Sequence, residues 1–217
     1  MRLSQAEIIP SVNVRTFEEV KERIKKVERY VKWCHLDVTD GVFSKHLTWR
    51  NPADLLNLET SLKVEVHLMV SEPEKILDQW LVKSIKRLIF HIEAMKDPEL
   101  IIKKCCDAGV EIGFAINPET PWEALEPWFG KVDLLQPLGV HPGSSGQEPD
   151  WPKILDKIIH IRKSCPKCII EVDGGVNPET AKKSARAGAN LLVAGAYLFS
   201  HSDIKTAIDE ISRGSTS

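Results

Sequence analysis

The stretch HLDVTDG, residues 35–41, sets a histidine and an aspartate two positions apart at the end of an apolar run. Successive side chains of a strand point to opposite faces, so His35 and Asp37 share one face while Leu36 and Val38 share the other. An imidazole and a carboxylate projecting together into a protein interior are costly unless they share a ligand. A second alternating run, KVEVHLMV at 63–70, puts Glu65, His67 and Met69 on one face, and a third, CIIEV at 168–172, leads into Asp173. His35, Asp37, His67 and Asp173 together form a donor set suited to one divalent cation such as zinc, iron, manganese or cobalt, which would neutralise both carboxylates at once. Glu65 lies deeper on its strand than His67 and reads as a partner orienting a ligand. His91 and Glu93 alternate in the same way and read as outer support or as structure. Asp40, just before Gly41, reads as a turn residue.

A second chemistry is anion binding. HPGSSGQ at 141–147, DGG at 173–175 and AGA at 194–196 each follow an apolar run, and glycine lets backbone amides face a ligand.

The elements that must position these groups alternate along the chain. Strands are expected at Ile8–Val12, Trp33–Val38, 63–70, 87–92, 111–116, 132–140, 168–172 and 190–194. Between them, Thr16 three residues before Glu19 opens a helix through Val31, and Pro52 with ADLLNL gives a short helix. Further helices are expected at Glu72–Leu81, from Pro98 to a stop at Gly109, after Pro121, at Trp151–Ser164, at Thr180–Ala187 and at Ile204–Ile211. Eight such units predict an α/β fold, a single-domain (βα)8 TIM barrel over residues 1–217, with an open doubly wound sheet as the rival. In a barrel the catalytic groups sit at C-terminal strand ends, where His35, Asp37, His67 and Asp173 all fall. The loops after the last two strands form the usual phosphate cradle.

Composition narrows the function. At 217 residues and 42% hydrophobic the chain can bury one large core, and its formal charge of −2 without a basic block argues against nucleic acid as partner. The N-terminal segment has no apolar run of signal-peptide length, and no membrane span is expected, so the reading is a cytoplasmic protein. Five cysteines, an odd number, argue against a disulfide framework. Cys165 and Cys168 form a CxxC without a second pair at similar spacing, so ordinary thiols are preferred over a structural zinc site.

PSV at 10–12, HLDVTDG, HLMVSEPE at 67–74, AINPETP at 115–121, HPGSSGQ, VDGGVNPET at 172–180 and AGANLLVAGA at 187–196 resemble, in order and spacing, the ribulose-phosphate 3-epimerase family. The resemblance implies a metal-dependent isomerase that inverts C3 of a ketose phosphate, interconverting D-ribulose 5-phosphate and D-xylulose 5-phosphate through an enediolate. It implies metal ligands His35, Asp37, His67 and Asp173, with Asp37 and Asp173 doubling as acid and base. It implies substrate contacts from Ser11 and His67, and phosphate contacts from backbone amides around Gly143, Gly146, Gly174, Gly175, Gly195 and Ala196. It also implies a homo-oligomer, dimer or hexamer.

The chain departs from the family pattern in places. Thr39 and Leu138 stand where the family usually has methionine, Ser144–Ser145 replace an aromatic-containing pair in the loop after the sixth strand, and Lys45 and His46 bring polarity to a segment that is usually uncharged. Alternative readings are therefore a hexulose-6-phosphate (allulose 6-phosphate) 3-epimerase and a non-catalytic sugar-phosphate-binding barrel.

Overall fold

Local chemistry sets the helix ends. In the computed structural model, which describes residues 5–143 and 147–215, Thr16 accepts the amide of Glu19 while the Glu19 carboxylate accepts the amide of Thr16, and this capping box opens α1 (Phe17–Val27). Asp97 caps α3 (Pro98–Ala108), which stops at Gly109 with φ of 68°. Asp150 caps α4 (Trp151–Ser164), and Asn177 caps α5 (Pro178–Ala187). The remaining helices are α2 (Leu77–Trp80), α6 (Ala196–Ser200) and α7 (Ile204–Ser215).

Among the described residues eight parallel strands close into a barrel in sequence order: β1 (Glu7–Val12), β2 (Trp33–Thr39), β3 (Lys63–Met69), β4 (Ile85–His91), β5 (Glu111–Ile116), β6 (Leu134–Pro137), β7 (Ile169–Asp173) and β8 (Leu191–Ala194). β8 pairs back onto β1 with Ile9 opposite Val193, which excludes the open sheet. The (βα)8 expectation holds.

Outward-facing Leu36, Val38, Val66, Leu68, Leu88 and Phe90 pack in one apolar cluster with Val20, Ile24, Ile101 and Ile158 of the surrounding helices. Each such buried side chain contributes roughly 1.5–3 kcal/mol. Inside the barrel, apolar packing is confined to small groups, Ile9 with Trp33 and Val193, and Ile89 with Ala115 and Leu134. Gly113 leaves room for this packing, because a Cβ would lie 2.8 Å from Leu134 and 3.1 Å from Ile89 and those side chains would have to shift. The rest of the interior is polar: His35, Glu65, Arg87, Gln136 and Glu171 are all buried.

The first helix stops at Val27 rather than running through Val31, and four further expectations need correction. The helix expected over 72–81 is split into a 3-10 turn at Pro73–Lys75, entered from Glu72 with a left-handed φ of 51°, and the single turn α2, with Ile76 between them at φ of −117°. The segments Pro52–Asn57 and Trp122–Trp128 are 3-10 rather than α, the second interrupted by Pro127, which has no amide hydrogen to give. Cys165 and Cys168 are joined as a disulfide rather than free thiols, because the turn ending α4 brings their Cα atoms to 5.4 Å. The Arg162 guanidinium holds that turn by donating to the carbonyls of Pro166 and Cys168, each at 2.8 Å. No helix among the described residues is long and apolar enough to cross a membrane.

Candidate active site

β2 and β3 lie side by side with Asp37 opposite His67 and His35 opposite Glu65, so strand alternation turns all four side chains into the barrel. Asp173 ends β7, three strands away round the ring through β1 and β8. One donor atom from each of His35, Asp37, His67 and Asp173 falls within 4.8 Å of all the others. His35 Nε2 lies 3.3 Å from Asp37 Oδ1 and 3.9 Å from Asp173 Oδ2, while His67 Nδ1 lies 3.6 and 3.5 Å from the same two oxygens. Both nitrogens are buried without a hydrogen-bond partner. Two orphaned imidazole nitrogens facing two carboxylates fit a divalent cation taking mixed nitrogen and oxygen donors.

The other nitrogen of each imidazole is occupied. His35 Nδ1 sits 2.8 Å from Glu65 Oε1, and Arg87 donates to Glu65 Oε2 at 2.6 Å. His67 Nε2 meets His91 Nε2 at 2.9 Å. Glu65 thus orients a cluster histidine as the sequence suggests, and His91 lies in the interior beside His67. Ser11 donates to Asp37 Oδ2 at 2.6 Å. Asp40 is the expected turn residue, accepting the amides of Val42 and Phe43, and it also ties this loop to β3 through the amide of Ser71.

Electrostatics follow from the crowding of carboxylates. Burial disfavours the His35 imidazolium, yet Asp37, Glu65 and Asp173 outweigh it and hold its pKa well above the ordinary value. Burial likewise opposes ionisation of Asp37, but His35 and His67 keep its carboxyl below the ordinary range. Glu171, deeper on β7, is the opposite case: burial and the nearby Glu65 charge push it well up. Burial lowers His91 to about 4, so it is neutral at pH 7.

Asp37 and Asp173, but neither cluster histidine, line a cavity of about 410 Å³ at the barrel mouth. Ser11, Gly143, Gly174, Gly175, Gly195 and Ala196 line the same cavity, so the structure brings these sequence candidates together, whereas Gly146, Ser144 and Ser145 lie outside the described residues. His67 is fully buried and meets the cavity only through the carboxylates beside it. Gly174 and Gly175 have φ of 103° and 70°, and a Cβ on Gly175 would come within 2.2 Å of Pro149. Leu138 lines the cavity, while Thr39 is fully buried with its hydroxyl unpartnered. Gln147, the last residue of the HPGSSGQ stretch, also lines it, as do Asn13 and Ser200, which were not anticipated because nothing in their local sequence marks them out.

The ribulose-phosphate 3 epimerase family model matches residues 7–199. The chain belongs to the ribulose-phosphate 3-epimerase family. The ribulose-phosphate 3-epimerase of Bacillus subtilis (strain 168) is 36% identical over 216 residues, covering 96% of this chain and 98% of that one. The ribulose-phosphate 3-epimerase of Methanocaldococcus jannaschii is 35% identical over 205 residues, covering 90% and 85%. Among solved structures, KGPDC from Streptococcus mutans superposes with a TM-score of 0.76 at 12% identity, covering 97% of this chain and 99% of that one. The 3-hexulose-6-phosphate synthase of Salmonella typhimurium gives 0.73 at 16%, covering 96% and 98%. At such identities these two speak for the shared barrel alone.

Proposed function

We propose that this member of the ribulose-phosphate 3-epimerase family is a metal-dependent isomerase that interconverts D-ribulose 5-phosphate and D-xylulose 5-phosphate by proton transfer between two aspartates. The observation that carries the reading is that Asp37 and Asp173, from strands three apart round the ring, line one cavity and face the same two orphaned imidazole nitrogens.

His35, Asp37, His67 and Asp173 are the residues that would hold the cation. Once bound, a divalent ion would supply electrostatic stabilisation for negative charge developing on the substrate oxygens. The proton on C3, next to the ketone, is a weak acid. One aspartate carboxylate takes it, the C3–H electron pair moves into the planar enediolate, and the protonated carboxyl of the other aspartate delivers a proton to the opposite face. The two carboxyls exchange protonation states with each turnover, so the reverse reaction uses the same groups in swapped roles. Ser11, by donating to one oxygen of Asp37, fixes the plane of that carboxylate. Backbone amides around Gly174, Gly175, Gly195 and Ala196 are assigned to the substrate phosphate, which orients the sugar from a point remote from the reacting carbon.

Solvent deuterium uptake tests this reading with ribulose 5-phosphate and allulose 6-phosphate side by side. Exchange at C3 of the pentulose phosphate is the expected result. Exchange with the hexulose phosphate alone would transfer the assignment to that substrate, for which the buried Thr39 hydroxyl and Leu138 at the mouth are the motivating features. Binding with no exchange in either would leave a sugar-phosphate-binding barrel.

A further inference from the structure

We infer that His91 and Glu93 are positioning residues that set the tautomer of His67, and so decide whether its Nδ1 is free to hold a cation. This rests on the metal reading above and extends it to two residues outside the donor set. A neutral imidazole carries one proton, on one nitrogen or the other. For His67 Nδ1 to offer a lone pair toward Asp37 and Asp173, its proton must sit on Nε2, which lies 2.9 Å from His91 Nε2. A single hydrogen bond holds a single proton, so His91 Nε2 must be the acceptor and His91 must carry its own proton on Nδ1. That nitrogen lies 3.4 Å from Glu93 Oε2. The opposite order, with His91 donating, moves the His67 proton to Nδ1 and into the seat between the carboxylates.

Glu93 is built to choose between these orders. Its Oε1 is committed to the loop after β5, where it accepts the amide of Asn117 at 2.7 Å and the hydroxyl of Thr120. The carboxylate is thereby held with Oε2 at an ion-pair distance from His91 Nδ1, a nitrogen that makes no formed hydrogen bond, and its negative charge, with no proton of its own, favours the Nδ1–H form of His91. His91 is fully buried, with the Phe43 ring centroid 5.0 Å from its own, so no bulk water competes for either nitrogen. The planes of the two imidazoles are within 15° of one another with centroids 5.0 Å apart, an arrangement that aims the two Nε2 atoms at each other. His35 has the matching arrangement through Glu65, so each cluster histidine has one nitrogen tied and the other turned toward Asp37 and Asp173.

Glu93→Gln is the discriminating variant. With its carbonyl oxygen retained by Asn117 and Thr120, the new amide turns its NH2 group toward His91 Nδ1 and favours the inverted order. The full chain, stripped of metal, is titrated with Co2+, and the ion's visible absorption reports occupancy; ¹⁵N spectra of histidine-labelled protein report which nitrogen of His67 carries the proton. The expected result is Co2+ binding weakened by about 10–100-fold in Glu93→Gln and in His91→Phe, with far-UV circular dichroism unchanged in the first. His91→Gln, whose amide oxygen can still accept from His67 Nε2, is expected to recover part of the loss. Wild-type Co2+ affinity in folded Glu93→Gln overturns the inference whatever His91→Phe does, while leaving the metal reading intact. Absence of Co2+ binding in the wild type overturns both.

Discussion

Ser11 and Asp37 are joined by a 2.6 Å hydrogen bond between the hydroxyl and Oδ2, which leaves Oδ1 of the same carboxylate facing His35 and His67. The serine therefore divides the two oxygens between two tasks. A hydrogen bond to a charged group is worth about 1.5–3 kcal/mol, so Ser11→Ala is expected to lower kcat by about tenfold or more and to lower the melting temperature by several degrees. Steady-state kinetics decide it: a rise in KM alone would make Ser11 a binding group rather than one that fixes the carboxylate.

Asp37→Asn and Asp173→Asn remove one proton carrier each without changing side-chain volume. Each is expected to cut epimerisation by on the order of 100–10,000-fold, with the barrel still folded by circular dichroism. Isotope exchange adds a sharper readout, because a variant that keeps the base but lacks the acid should still wash the C3 proton into solvent faster than it forms product. Near-normal rates in either variant would remove the two-aspartate mechanism.

Arg87 is placed to affect stability more than chemistry. It binds Glu65 at 2.6 Å and Glu111 at 2.6 Å, with its guanidinium 4.3 Å from the centroid of the Trp33 ring. Glu65 is fully buried, so Arg87→Met leaves its charge facing only His35, at an expected cost of about 3–5 kcal/mol in urea denaturation. Adding Glu65→Gln should recover part of that loss, since a neutral amide needs no counter-charge. A single variant as stable as wild type would mean the pair contributes nothing.

The donor set was legible because a strand's period of two, applied to His35–Asp37 and to Glu65–His67, states which side chains share a face, and closure of the barrel then brings β7 within reach. Glu65 was legible for the same reason. Arg87, Gln136 and Glu171 obey the same alternation, Arg87 with His91 and Glu171 with Asp173, yet they pass for ordinary strand polars until the register shows five polar side chains filling the floor. The short turns were less legible. At 72–81 apolar spacing favours one helix, but the segment divides into a 3-10 turn after the left-handed Glu72 and one α turn, and the five-residue α6 is too short for any periodicity to emerge. The Cys165–Cys168 bridge depends on how α4 ends, a geometric matter that counting cysteines does not address.

Lys157 gives a pH dependence that can be followed away from the site. Its ammonium, on α4, is buried and donates to the carbonyls of Asn117 and Pro118, each at 2.8 Å. Burial, and after it the neighbouring Lys153, lowers its pKa from 10.5 to about 8. A lysine so depressed loses its proton first in the folded state, so between about 8 and 10.5 the unfolded chain binds more protons than the folded one. Its contribution to stability therefore rises with pH across that window, and its penalty is complete below it. Lys157→Met does not titrate and serves as the reference. Urea denaturation of both proteins from pH 7 upward should give a wild-type minus variant difference that climbs through the window as the amine becomes neutral while still able to donate to the two carbonyls. A flat or falling difference would mean that those carbonyls hold the ammonium form as well as water does.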